Sequence, residues 1–192
     1  MSQGRSRRAD TERTMRTILE AAEQVYGANP AATIEEVADA AGVARSTVHR
    51  RFATRDALLD ALTTWASDQF HAAVDAARPE TAPPLVALYQ VTANVLRVKR
   101  SWAFATSQTT PAVHLADLFT RCDNLFRRAR DAGVLREDVD PHWATRVFRA
   151  LIDEVCHDND ETDNDETDNV DALATALVDT LLRGVGHTTN QL

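Results

Sequence analysis

Apolar residues recur along the first part of the chain at the three- and four-residue spacing of a helix face. Met15, Ile18, Leu19, Ala22 and Val25 predict a helix from about Thr11 to Tyr26. GANP at 27–30 ends it, because glycine and asparagine tolerate the helix-closing conformation and Pro30 cannot extend a helix. Residues 1–10, MSQGRSRRAD, precede that pattern and are expected to form a flexible basic arm.

Thr33 opens TIEEVADAAG. With Glu36 three residues later it forms a capping box, each side chain satisfying a backbone amide that the helix start leaves open. Two helical turns to Ala41 should follow, broken by Gly42. A third short helix is predicted from Arg45 to Phe52. Thr54 is placed to cap a long fourth helix with apolar positions at Leu58, Leu62, Trp65, Ala66, Phe70, Ala73 and Ala77. ARPETAPP at 77–84 reads as a loop, and further helices are predicted near 85–99, 101–108, 112–132, 141–157 and 170–185. No stretch sustains the two-residue alternation of a strand. The pattern predicts an all-α fold of about nine helices.

One segment breaks the pattern. DNDETDNDETDN, 158–169, repeats a pentad and has no apolar side chain, so a flexible acidic loop is expected. A calcium loop beginning at Asp158 would need glycine where Asp163 stands and a bidentate glutamate where Asn169 stands, which argues against it.

Charge sharpens the division. Residues 1–57 hold nine Arg against eight acidic residues, whereas the whole chain carries a formal net charge of -8. A polyanion partner is therefore expected for the N-terminal part alone. No apolar run approaches the ~18 residues of a membrane span. The basic N-terminus lacks the apolar stretch of a secretory leader, so a cytoplasmic location is expected. Cys122 and Cys156 are then most simply reduced thiols.

GVARSTVHRRFATRDALL, 42–59, runs from Gly42 to Arg55 without an acid and carries Arg45, Arg50, Arg51 and Arg55. Ala38 is small where two helices would cross, Gly42 permits a positive φ at the corner, and Val48 can pack back into the angle. This small–glycine–aliphatic spacing is that of a helix-turn-helix. With Val48 and Phe52 turned inward, Arg45 and His49 form one i,i+4 pair on the outer face and Ser46 and Arg50 another, flanked by Thr47 and Arg51. Such a cationic helix face, without carboxylates, fits the major groove of DNA. Arg55 adds positive charge beside the N-terminus of the next helix, where a phosphate is favoured. Thr33, at the capped helix start, joins these DNA-facing candidates.

TIEEVADAAGVARSTVHRRFATRDALLDAL, 33–62, resembles the tetracycline-repressor-like (TetR) family of bacterial and archaeal regulators. Arg45, Ser46, Thr47, Val48 and Phe52 match the family's wording, while His49 and Arg51 depart from it. The resemblance implies phosphate contacts from Thr47 and Arg55, with Arg45, Ser46, His49 and Arg50 nearest the bases. It also implies a C-terminal domain that binds a small molecule and dimerises through its last two helices. The expected domains are thus a helix-turn-helix unit at 11–57 and a larger helical effector-binding and dimerisation domain at 58–192.

For the effector, Trp65, Tyr89, Trp102, Phe104, His114, Phe119, Cys122, Phe126, Trp143 and Phe148 are the aromatic and polar candidates, favouring a flat or apolar molecule. For the dimer, Val170, Leu173, Ala174, Leu177, Val178, Leu181, Leu182 and Val185 make a stripe wide enough to need burial on two sides. Leu151, Ile152 and Val155 offer a partner surface on the helix before it. A two-fold dimer implies a pseudo-palindromic double-stranded operator.

His114 and Cys122 are eight apart, no convincing metal spacing, and no cofactor is expected. There is no nucleophile–base pair or phosphate loop, so the chain is not expected to be an enzyme. The sequence reading is a ligand-released homodimeric repressor. The alternatives are an activator, or a protein-binding adaptor without a small-molecule effector.

Overall fold

The computed structural model describes residues 3–108, 112–157 and 166–185. Those residues are helical apart from short connections. In chain order the helices are α1 (Gln3–Ala28), α2 (Ile34–Ala40), α3 (Arg45–Arg51), α4 (Arg55–Ala76), α5 (Pro84–Ser101), α6 (Ala103–Ser107), α7 (Ala112–Asp131), α8 (Pro141–His157) and α9 (Glu166–Val185).

Most boundaries fall within a few residues of the sequence reading. Two expectations are corrected. Residues 3–10, expected as a flexible arm, belong to α1. Arginine, glutamine and alanine favour helix, so the turns could continue beyond the last buried position. At the other end α9 begins at Glu166, four residues before the expected start and inside the segment read as an acidic loop. A first turn needs no buried face, so the missing apolar side chains did not mark the helix start. Residues 158–165 lie outside the described residues.

The chain divides into two compact units, Met1–Asp68 with Trp102–Thr110, and Gln69–Ser101 with Pro111–Leu192. The sequence reading placed a single boundary after residue 57. Beyond that residue Leu58, Leu62, Trp65 and Ala66 of α4 still pack into the first core. Apolar periodicity announces a buried face but not which neighbour buries it.

The first core is built on Ile18, Leu19, Ala22 and Tyr26 of α1, closed by Val37, Ala38, Val48, Phe52, Leu58 and Leu62. The second is built on Leu88, Val91 and Leu96 of α5, Leu125 and Phe126 of α7, Phe148 and Ile152 of α8, and Ala174, Leu177, Val178 and Leu181 of α9. At its centre the Phe126 and Phe148 rings meet edge-on, with centroids 5.5 Å apart.

Candidate nucleic-acid interface

The start of α2 carries the expected capping box. Thr33 Oγ1 accepts the Glu36 backbone N–H at 3.2 Å, and Glu36 Oε2 accepts that of Thr33 at 2.7 Å. The Thr33 backbone amide, and after it the Thr33 hydroxyl, which donates to the same Glu36 oxygen at 2.8 Å, hold the Glu36 carboxyl below its ordinary pKa. At the other end Gly42 takes φ +64°. Its N–H reaches the Asp39 carbonyl at 3.2 Å and that of Val43 reaches Ala38 at 3.1 Å, which closes the helix in a Schellman turn. The chain is thereby aimed into α3.

Two side chains fix the rotation of α3. Val48 is fully buried and Phe52, just past the helix end, is 4% exposed. Arg45, Ser46, His49 and Arg50 consequently face outward, with Thr47 and Arg51 half-buried at the flanks. This is the arrangement the sequence predicted for a helix that enters a groove. Arg51 is less available than expected, because its Nε is enclosed without a hydrogen-bond partner among the described residues.

The expectation of a face without carboxylates is corrected. Asp39 Oδ2 lies 3.0 Å from Arg45 Nη2, and Glu35 Oε1 lies 2.9 Å from His49 Nε2. Both acids come from α2. The His49 contact is the largest influence holding the Glu35 carboxyl below its ordinary pKa, and Asp39 raises that of Arg45. Local sequence around α3 could not show this, since the acids sit across the corner. The signal was present in their spacing: acids at 35 and 39 match basic side-chain types at 45 and 49, four apart on each helix.

Arg55, in the first turn of α4, is held from two sides. Its Nη2 donates to the Pro30 carbonyl, and its guanidinium lies over the Tyr26 ring, 4.9 Å from the centroid. Thr54 Oγ1 accepts the Ala57 N–H at 3.1 Å and caps the same helix. Tyr26 and Pro30 are supports that the sequence reading missed.

A family model described as bacterial regulatory proteins, tetR family, matches residues 18–62. Over 174 residues the chain is 33% identical to the HTH-type transcriptional repressor LfrR of Mycolicibacterium smegmatis, covering 89% of this chain and 92% of that protein. This chain belongs to the TetR family. The crystal structure of the TetR-like regulator LfrR from Mycobacterium smegmatis in complex with proflavine superposes with a TM-score of 0.66 at 30% identity, over 92% of this chain and 99% of that one. The TetR-family regulator PfmR from Thermus thermophilus shares the fold, with a TM-score of 0.72 at 20% identity, over 89% of this chain and 98% of that one. The protein is thus a helix-turn-helix transcriptional regulator of the TetR family, a family of DNA-binding regulators and not of enzymes.

Within this TetR-family chain the described effector candidates are divided between the two units. Trp65, Trp102 and Phe104 belong to the first unit. There the two indoles meet edge-on with centroids 6.4 Å apart, and Phe104 packs against Tyr26 at 5.6 Å. In the second unit Tyr89 donates to Asp179 Oδ1 at 2.5 Å, and Arg149 lies over the Phe119 ring at 3.7 Å. Burial pushes the Cys122 thiol up to about 11, so it is unreactive at neutral pH. Phe126 and Phe148 are core, and Trp143 stands 48% exposed. The His114 side chain lies outside the described residues. Two candidates line grooves: Tyr89, with Asn94, Arg97 and Asp171, one of about 260 Å³ in the second unit, and Trp65, with Arg16, one of about 350 Å³ in the first.

The dimer stripe is also redistributed. Leu177 and Leu181 are 4% and 3% exposed within the subunit, so α5 and α8 already cover them. Leu151, Val155 and Leu173 pack partly against the same core. Among the described residues no cluster of metal-ligating side chains occurs, and no helix is long and apolar enough to cross a membrane.

Proposed function

We propose that this TetR-family chain is a cytoplasmic, homodimeric repressor that reads a pseudo-palindromic operator through α3 and is released by a small apolar or aromatic molecule. The observation that carries the reading is the anchoring of α3 by Val48 and Phe52, which turns Ser46, His49 and Arg50 outward together. Arg50 and Arg45 suit guanine edges, Ser46 and His49 suit base edges, and Thr47 and Arg55 suit flanking phosphates. Thr33, whose hydroxyl already caps α2, is exposed and suits a phosphate as well.

The homodimer is supported by what α8 and α9 leave uncovered. Ala172, Ala176 and Thr180 make an exposed row at four-residue spacing on α9, with Trp143 and Ala150 exposed on α8. Small side chains let a second copy of the helix pair approach closely, and a two-fold axis would set two α3 helices about 34–36 Å apart on successive major grooves. Release by an aromatic molecule is supported by the relative bound to proflavine. Physically it is a population shift between dimers whose reading heads match the groove spacing and dimers whose heads do not.

The experiment is sedimentation of the protein with a duplex selected from a random pool, with and without proflavine. Two chains per duplex, and fewer when proflavine is added, support the reading. One chain per duplex, or no preference over random DNA, overturns it.

A further inference from the structure

We propose that Glu35 and Asp39 of α2 are specificity-determining residues of DNA recognition: they hold Arg45 and His49 in place, and Asp39 masks the charge of Arg45 from unmatched DNA. The inference rests on assigning the exposed face of α3 to DNA.

The geometry is a two-rung ladder across the helix-turn-helix corner. Asp39 meets Arg45 at 3.0 Å on one rung, and Glu35 meets His49 at 2.9 Å on the other. Glu35 and Asp39 are four residues apart, as are Arg45 and His49, so both rungs lie along one line of the surface. All four side chains are well exposed, between 42% and 63%. Exposed pairs add little to stability, because solvent screens them and holding long side chains costs entropy. Folding does not explain two of them side by side at the tip of the corner.

DNA recognition does. A guanidinium has five N–H donors, and Asp39 occupies Nη2, leaving others to meet the O6 and N7 of a guanine. A side chain already held near its bound orientation loses less freedom on binding. Charge matters equally. Nonspecific binding comes from cations that displace counterions from phosphates, and a carboxylate at 3.0 Å cancels much of a cation's field beyond that distance. Random DNA therefore meets a face on which Arg45 is largely neutralised. On misregistered DNA the same carboxylates would confront phosphate, a penalty that acts only against wrong partners. The ladder thus weakens nonspecific binding more than specific binding.

The test compares wild type, the isosteric Glu35→Gln/Asp39→Asn double variant and Arg50→Ala, each on a duplex selected from a random pool and on random duplex of equal length, across a range of salt. Thermal melting checks that each variant is folded, and Asp39→Asn alone serves if the double variant melts early. For the double variant, random-duplex affinity should rise about tenfold at low salt, with the log–log salt slope steepening by about one per subunit. Its selected-to-random ratio should fall about tenfold or more. A ratio and slope equal to wild type overturn the inference while leaving the DNA face intact, provided Arg50→Ala weakens binding to the selected duplex. If Arg50→Ala changes binding to neither duplex, α3 is not the DNA face and both readings fail.

Discussion

The carboxylate of Glu23, on α1, accepts the backbone N–H of Ala105, on α6, at 2.9 Å, and its second oxygen accepts that of Phe104 at 2.5 Å. Helix α6 has no cap of its own, since Trp102 at its N-cap makes no side-chain hydrogen bond. A glutamate 81 and 82 residues earlier supplies the acceptor, in a site where Glu23 is only 9% exposed. It fastens α6 to the first unit, although α5 before it and α7 after it belong to the second.

Replacing Glu23 by alanine should strand two helix-end amides away from water and cost about 2 kcal/mol. A urea titration reads this as a lower midpoint with an unchanged slope; a loss below about 0.5 kcal/mol would mean that water replaces the carboxylate. The pH dependence is specific. Burial outweighs the two amide bonds and raises the Glu23 pKa above its ordinary 4.5. The folded chain therefore keeps this proton to higher pH than the unfolded chain does. Titration of Glu23 adds stability as pH falls through the raised value towards 4.5, and removes it as pH rises through that window. Relative to Glu23→Gln, wild type should gain stability as pH falls from neutrality towards 4.5. A constant difference would contradict this.

Gly42→Ala isolates backbone strain. A Cβ at Gly42 would meet nothing within 4 Å, so no clash opposes it, but φ is +64°. The variant should lose about 1 kcal/mol and Gly42→Asn less, because asparagine tolerates that region. Equal melting of alanine variant and wild type would show that the corner relaxes without cost.

Local features of the helix-turn-helix were legible in the sequence because their determinants lie within a few residues. Thr33 with Glu36, Gly42 at the corner, and Val48 with Phe52 are each readable from spacing alone. What escaped was tertiary. Periodicity showed that Leu177 and Leu181 need cover but could not say that their own subunit supplies it. Nothing near Glu23 in the sequence marks the helix end it caps, 81 and 82 residues further on. The ladder from Glu35 and Asp39 joins two helices whose crossing geometry the sequence implies only loosely. The division of the aromatic effector candidates escaped for a related reason: type and position do not reveal which of two cores a ring enters, and Trp65 and Trp102 entered the first.

Burial separates two classes of residue on α9. Leu177→Ala should destabilise the subunit by about 2–5 kcal/mol, as truncation in a packed core does. Ala176→Glu, on the exposed row, should leave the fold intact and abolish self-association, since two like charges would face each other across a two-fold axis. Calorimetry and sedimentation velocity read the two effects. A folded, fully dimeric Ala176→Glu variant would move the dimer contact elsewhere.

The central claim is that α3, held by Val48 and Phe52, presents its exposed residues to base edges. Arg50 is the most informative of them, since it makes no ion pair or hydrogen bond among the described residues. The direct measurement is the affinity of Arg50→Ala for its selected operator and for random duplex, side by side at one salt concentration. The account expects about a ten- to hundredfold loss on the operator and no more than about threefold on random DNA. Equal loss on both would reduce Arg50 to a phosphate contact, and no loss on either would remove α3 from the groove.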